Sequence, residues 1–294
     1  VAKLLPLRER KARRCIVDDG HRRGIFSWYG YLKPLEERLE NLRSAGFDSL
    51  MLWWGDDLAF CEHGKADLVR LVRSKGFRIE NIHVPYLDAN DIWSDDGARR
   101  RRLVGNITEW IHDCAEFNIP TLVMHVSHYL DLAAPTEAGL DATVALALEG
   151  RRSGVRIALE NTDRLEFLDY LLDSVDSPWL GLCYDTSHGR LQEERPFSLL
   201  RKYGDRLFAL HLSDNDGLED RHWALGRGVV DWSAFADALA AAEPLPVLCL
   251  EVIQHDPEED ETIFLRRNLA FLDRLAGDIA DMRKKRIAGQ NTTS

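Results

Sequence analysis

No stretch of the 294 residues approaches the roughly 18 to 20 consecutive apolar positions that span a bilayer. The first twenty residues hold basic positions but no apolar stretch of about 7 to 15 residues behind them, so a secretory leader is not expected. Cysteine is scarce and scattered. Cys15, Cys61, Cys114, Cys183 and Cys249 are odd in number and show no Cys-x-x-Cys spacing. That fits reduced core thiols in a cytoplasmic compartment better than a disulfide framework. Positive charge is in deficit as well: 38 Lys and Arg against 49 Asp and Glu give a formal charge of −11. A broad polyanion-binding surface needs clustered Lys and Arg, and the basic runs at 99–102 and 283–286 read as solvated faces, with 8–14 a frayed extension. No low-complexity linker divides the chain, and Gly226 and Gly228 mark a turn rather than a phosphate-cradling loop.

What is present is enough apolar material for a large core, 45% hydrophobic residues with 9% aromatics. Eight short apolar runs recur along the chain: 24–29 (GIFSWY), 49–54 (SLMLWW), 78–84 (RIENIHV), 121–126 (TLVMHV), 156–160 (RIALE), 180–185 (LGLCYD), 207–212 (LFALHL) and 247–252 (VLCLEV). Each interval between them has room for the crossover helix that parallel strands require. Helical spacing fills those intervals, with Leu35, Leu39 and Leu42 on one face, Ile107, Trp110, Ile111 and Cys114 on another, and Leu168, Leu171 and Leu172 on a third. Several runs follow a helix exit at Gly46, Gly76 or the Asn118–Pro120 turn. The expected fold is α/β, a single (β/α)8 TIM barrel. Its expected limits are an N-terminal extension over 1–20, the barrel over 21–278 and a C-terminal tail over 279–294.

In this architecture the active site lies at the C-terminal ends of the strands. Nearly every run here closes on a residue able to bind a metal: His83 the third, His125 the fourth, Glu160 the fifth, Asp185 the sixth with His188 three further on, His211 the seventh and Glu251 the eighth. Asp220 and His222 follow in the long loop after the seventh. A single histidine at a strand end is often only a satisfied core group. Glu160 and Glu251 behind apolar runs are harder to set aside, because a buried carboxylate without a partner costs several kcal/mol. It is the convergence of the whole set on one end of one barrel that points to a site.

The segments His83-Val84-Pro85-Tyr86, Ala158-Leu159-Glu160-Asn161, Tyr184-Asp185-Thr186-Ser187-His188, His211-Leu212-Ser213-Asp214-Asn215 and Asp220-Arg221-His222, with Gly226-Arg227-Gly228 and Asp231-Trp232, resemble the xylose isomerase-like TIM barrels. That group holds sugar isomerases and epimerases and the endonuclease IV type of AP endonuclease, and the resemblance covers about residues 24–275. In the sugar-acting branch it implies one divalent metal held by Glu160, Asp185, His211 and Glu251. Three carboxylates and one imidazole suit manganese first, with magnesium, cobalt or zinc as alternatives. The resemblance further implies that Glu160 and Glu251 carry the acid/base work and that His188 contacts substrate. Proton abstraction beside a carbonyl leaves an enediolate, which a metal stabilises while two carboxylates shuttle the proton.

His83, His125, His188, Asp220 and His222 either hydrogen-bond a polyhydroxylated substrate around that single ion or serve as additional metal ligands. Trp28, Trp53 and Trp54 fall at the ends of the first two runs, where an indole stacks on a sugar face or packs the barrel; Trp54 is the one expected to touch substrate. Arg221 and Arg227 are candidates to hold a substrate phosphate or carboxylate, Arg227 foremost. The expected reaction is therefore isomerisation or epimerisation of a sugar, sugar phosphate or inosose, with no nucleic acid or membrane partner favoured and a homo-oligomer compatible.

The alternative is zinc-dependent cleavage at abasic DNA sites, since the endonuclease IV type is similar at all nine positions: His83, His125 and Glu160 for one zinc, Glu160, Asp185, His211 and Glu251 for a second, His188, Asp220 and His222 for a third. Against it, Asn161 is followed by Thr162-Asp163-Arg164-Leu165 instead of the Gly-Gln-Gly stretch of the DNA-acting branch. Asp88, Asp91, Asp95, Asp96 and Asp163 would also repel a duplex. A third reading is a non-catalytic barrel that binds a sugar or a partner, which the intact Glu160 and Glu251 disfavour.

Overall fold

The chain's computed structural model describes residues 22–55, 64–129 and 132–291; the expected extension over 1–20, Cys15 and Cys61 lie outside the described residues. All eight runs contain strands: β1 (Arg23–Phe26), β2 (Ser49–Trp53), β3 (Arg78–His83), β4 (Thr121–His125), β5 (Arg156–Glu160), β6 (Leu180–Asp185), β7 (Leu207–His211) and β8 (Leu248–Leu250). The first and last are shorter than the runs suggested, because the chain turns away after Phe26 and pairing of β8 stops at Leu250. Every pairing is parallel, in the order β7-β6-β5-β4-β3-β2-β1-β8. The ring closes through Leu212 and Leu250, where the Leu212 amide donates to the Cys249 carbonyl and the Glu251 amide to the Leu212 carbonyl. This is the expected (β/α)8 barrel, its last seam between β7 and β8 narrowed to that single bridge.

Helices α1 (Leu35–Ala45), α2 (Lys65–Ser74), α3 (Gly97–Glu116), α4 (Glu137–Ser153) and α5 (Leu165–Ser174) fill successive intervals. The interval after β6 carries two short helices, α6 (Thr186–Gln192) and α7 (Ser198–Tyr203), and α8 (Trp232–Leu239) and α9 (Glu261–Asn291) complete the layer. The helix exits behave as their residues require. Gly46 has φ 113°, open only to a residue without a Cβ, and its amide donates to the Arg43 and Leu42 carbonyls, ending α1 just before β2. The expected tail over 279–294 continues α9 to Asn291. Leu272, Leu275, Ala276 and Ile279 recur at helical spacing and are buried, so apolar packing carries the helix past residue 278. Of the basic run at 283–286, Lys284 and Lys285 are exposed, whereas half-buried Arg283 donates to the Ala242 carbonyl and Arg286 binds Asp237 of α8 at 2.8 Å. Among the described residues no helix is long and apolar enough to cross a membrane. Cys114, Cys183 and Cys249 are buried free thiols.

Strand alternation produces two cores. Leu50, Leu52, Leu122, Leu159, Leu182 and Leu210 face outward into one apolar layer with Phe167, Leu171 and Phe235 of the helices. Each such buried side chain stabilises by roughly 1.5–3 kcal/mol. Residues of the other parity point into the barrel, where Val123, Ala158, Cys183 and Ala209 form a small inner cluster. Small residues are needed there because side chains from neighbouring strands converge on the axis. Two residues beyond each of them, one alternation closer to the C-terminal mouth, stand His125, Glu160, Asp185 and His211. The period that builds the inner cluster therefore also aims these four side chains into the barrel.

Candidate active site

Hydrogen bonds between neighbouring strand ends fix the inward side chains. Asn161 locks β5 to β6: its Nδ2 donates to the Asp185 carbonyl at 2.9 Å, and its Oδ1 accepts from the Asp185 amide at 2.7 Å. Asp185 also caps α6, accepting from the His188 amide at 2.7 Å, which places His188 beside it. The loop after β7 is built around the buried Asp214, which accepts from the amides of Asn215, Gly226 and Val230 and from Trp232 Nε1, all at 2.9–3.0 Å. Gly228 is required there, since a Cβ would lie 2.0 Å from the Asn215 carbonyl oxygen. A bridge from Asp214 to Trp223 then returns the chain past the mouth, carrying Asp220 and His222.

Glu160 is the hub. Its Oε2 lies 3.0 Å from His83 Nε2 and 3.4 Å from His125 Nε2, and its Oε1 lies 3.1 Å from His211 Nδ1 and 3.5 Å from His188 Nδ1. Glu251 Oε2 approaches the same His211 Nδ1 to 3.1 Å from the other side. One ligand atom each from Glu160, Asp185, His211 and Glu251 lie within 4.8 Å of one another, and His83, Glu160 and His211 form an overlapping group. A second hub is Asp220, whose Oδ2 stands 3.2 Å from His188 Nε2 and 3.0 Å from His222 Nε2 while Oδ1 accepts from Ser187 at 2.6 Å.

The electrostatics divide by strand. Burial pushes the Glu160 carboxyl up, but His211 and the bonds from His125, His188 and His211 outweigh it and hold it well below the usual carboxylate range. Glu251 is likewise held down against burial, chiefly by His211. Burial dominates at Asp185 and pushes it up to about 7, with His188 opposing. Burial also pulls His125 down to about 4, so this ring is neutral at pH 7. At His211 and His188 burial is outweighed, by Cys183, Glu160 and Glu251 in one case and by Asp185, Asp220 and Glu160 in the other, and both rise well above 6.5. His222 rises to about 10 against burial, on its bond to Asp220 and the Glu251 charge.

The donor set fits a cation. Asp185 Oδ2 and Glu251 Oε2 are buried oxygens with no hydrogen-bond geometry to any donor. Leaving such atoms unsatisfied is costly, and an ion among them answers the need of both. The orientation of His83 agrees, since its Nδ1 donates to the Val84 carbonyl at 2.9 Å and leaves Nε2 aimed at Glu160. His222 repeats the device, donating from Nδ1 to the Glu251 carbonyl at 3.0 Å. Such backbone bonds orient metal-binding imidazoles.

The nine expected metal or acid/base residues therefore meet in one network, whereas two expected substrate contacts do not. Trp54 is 1% exposed, points outward with Leu50 and Leu52, packs on Phe117 and donates to Asp113 at 2.8 Å. Strand parity explains the correction: Trp53, one residue earlier, is the indole that faces the mouth, stacked on His83 with centroids 5.6 Å apart. Arg227 is exposed and lies over the Trp223 ring at 5.5 Å, outside the network. Asp91, expected on the acidic rim, is buried and held by Arg99 at 2.6 Å. Tyr86, stacked on His125 at 4.4 Å, and His128 and Tyr129 beyond it complete an aromatic wall that the run endings did not single out.

A family model described as xylose isomerase-like TIM barrel matches residues 39–274. A protein of unassigned function from Sinorhizobium fredii, y4fM, is 29% identical over 88% of this chain and 93% of its own. A probable endonuclease 4 of Mycoplasma mycoides is 26% identical over 54% of this chain, which spans only 62% of that relative's length. Fructoselysine 3-epimerase of Escherichia coli O157:H7 is 24% identical over 70% of this chain and 80% of its own. Among solved structures, an L-ribulose 3-epimerase superposes with a TM-score of 0.74 over 92% of this chain and 98% of its own, at 21% identity.

Proposed function

The chain belongs to the xylose isomerase-like TIM barrel family, and from that premise we propose that it is a metal-dependent sugar isomerase or epimerase. The observation that carries the reading is the pair Glu160 and Glu251, a buried carboxylate ending β5 and a half-buried one just after β8, both held ionised and both 3.1 Å from His211 Nδ1. An ionised carboxylate with no competing proton is ready to take one from a carbon beside a carbonyl, and its conjugate acid returns it. Two of them allow removal by one carboxylate and delivery by the other. His188, positioned by Asp185 and Asp220, and the rings of His125 and His83 are in place to orient hydroxyl groups. Glu160, Asp185, His211 and Glu251 would hold the ion, manganese being favoured by three oxygen donors and one imidazole. When bound, it supplies electrostatic stabilisation for the oxygen charge that develops during proton transfer.

A neutral sugar is favoured over a phosphorylated one. Arg221 is engaged by Asp216 at 3.0 Å and Glu219 at 2.7 Å, and Arg164 by Glu166 and the Leu132 carbonyl. The buried free thiols support a reducing, cytoplasmic setting. A specific observation favours a second reading. His83 and His125 on Glu160, and His188 and His222 on Asp220, are two further imidazole–carboxylate groups beside the main cluster, as three-zinc cleavage of abasic-site DNA would need.

One paired assay separates the two. The manganese-loaded protein is screened in deuterated water against ketoses, inososes and sugar phosphates for deuterium uptake at carbon, and in parallel the zinc-loaded protein is tested against an abasic-site duplex at stoichiometric enzyme. Deuterium uptake without incision is expected. Incision accompanied by three zinc ions per chain would overturn the sugar reading.

A further inference from the structure

Rings form an unbroken path from the buried cluster to solvent. Trp53 stacks on His83, His83 meets His125 at 5.0 Å, His125 stacks on Tyr86 at 4.4 Å, Tyr86 meets His128 at 5.1 Å, and His128 meets Tyr129 at 4.0 Å. Exposure rises along it, from 4% at His83 to 69% at Tyr129. The outer end is held in place by its neighbours. Asn90 grips the His128 backbone from both sides, Oδ1 accepting from its amide at 2.8 Å and Nδ2 donating to its carbonyl at 2.6 Å. Asp163 accepts from the Tyr129 amide at 2.9 Å, and Tyr129 sits at φ 55°, a conformation that bulky side chains seldom adopt without support. A tyrosine anchored in this way presents its ring to solvent beside the mouth, and Leu87, 76% exposed, belongs to the loop of the adjoining strand.

A free monosaccharide at the Glu160 cluster has no use for the outer rings. We propose that the substrate is a sugar conjugate that keeps its carbonyl, and that its second group, one with a flat apolar face such as an aryl group linked through a non-anomeric hydroxyl, lies against His128 and Tyr129. The proposal rests on the sugar reading and narrows its substrate class. The inner rings address the sugar and its hydroxyls, whereas the outer pair offers π-faces, with preference for stacked or edge-on partners. Aryl groups gain from such a surface and methyl groups do not.

The test measures dissociation constants of 1-O-phenyl- and 1-O-methyl-D-fructose, ketoses whose carbonyl is left free, for the metal-loaded protein by calorimetry. The phenyl compound is expected to bind about tenfold more tightly, the upper end of what one aromatic contact provides. In Tyr129→Ser that advantage should shrink below about twofold, Asn90→Ala should reduce it partway, and Ile287→Ser, at an exposed apolar site on α9, should retain it. Equal affinities in the native protein, failure of both compounds to bind, or an advantage that survives Tyr129→Ser would each overturn the proposal. Deuterium uptake by free ketoses reports on the parent reading separately: its absence alongside an intact phenyl preference would sink the isomerase assignment and leave the aromatic subsite standing.

Discussion

The β2–β4 side of the mouth and the β5–β8 side contain the same residue type in opposite states. His125, among Trp53, His83 and Tyr86, is driven by burial to about 4 and is neutral. His211, more deeply buried still but set between Glu160 and Glu251, is raised well above its ordinary value. Burial alone does not decide protonation; whether the facing carboxylates outweigh it does. The consequence is a mouth divided into a ring-lined wall suited to a sugar's faces and a carboxylate wall suited to a cation and proton transfer. Glu160 joins them, one oxygen turned to each side.

The largest effect should come from removing that junction. Glu160→Gln takes the charge from both walls, so metal content should fall from one ion per chain to background by elemental analysis, and turnover by at least about 10⁴, the upper range for an acid/base group. Glu251→Gln strikes only the carboxylate wall. Turnover should fall by roughly 10² to 10⁴ with weaker metal binding, and normal binding with unchanged exchange of the substrate's hydrogen would refute its role. The two tryptophans sharpen the division further. Trp54→Ala should lower stability by about 3–5 kcal/mol, measured by denaturant unfolding, because it empties a packed site outside the barrel. Trp53→Ala should unfold near the native midpoint and instead raise KM.

The smallest effect is a proton count. Because His211 is raised above 6.5 and Asp185 sits at about 7, both hold protons near neutrality when no metal is bound. Metal must displace them, so affinity should rise with pH between about 6 and 8, with roughly one to two protons released per ion by calorimetry in two buffers. Metal-free stability runs the other way at His222. Its raised value contributes stability that is complete below about 6.5 and lost as pH rises through about 10.

Much of this was legible in the chain because one period governs both packing and chemistry. Two-residue alternation along 156–160 and 207–211 sets Glu160 and His211 on the parity of Ala158 and Ala209, so their convergence could be read from eight short runs. The same rule applied to 49–54 places Trp53, on the parity of Ser49 and Met51, inside the barrel, whereas Trp54 at the run's end is on the outward parity. Other features do not follow from local pattern. Asp91 lies in a loop expected on the rim, and its burial depends on Arg99 reaching back from α3. The anchoring of Tyr129 requires Asn90 and Asp163, 39 and 34 residues away in either direction, and contacts between loops carry no periodic signature.

The central claim is one metal centre on the carboxylate wall, with the ring-lined wall left for substrate. Anomalous diffraction at the manganese edge from metal-loaded crystals tests it most directly. The account predicts a single strong peak bonded to Glu160, Asp185, His211 and Glu251, with His83, His125, Asp220 and His222 unligated. Further peaks of comparable height between His83 and His125, or between Asp220 and His222, would contradict it.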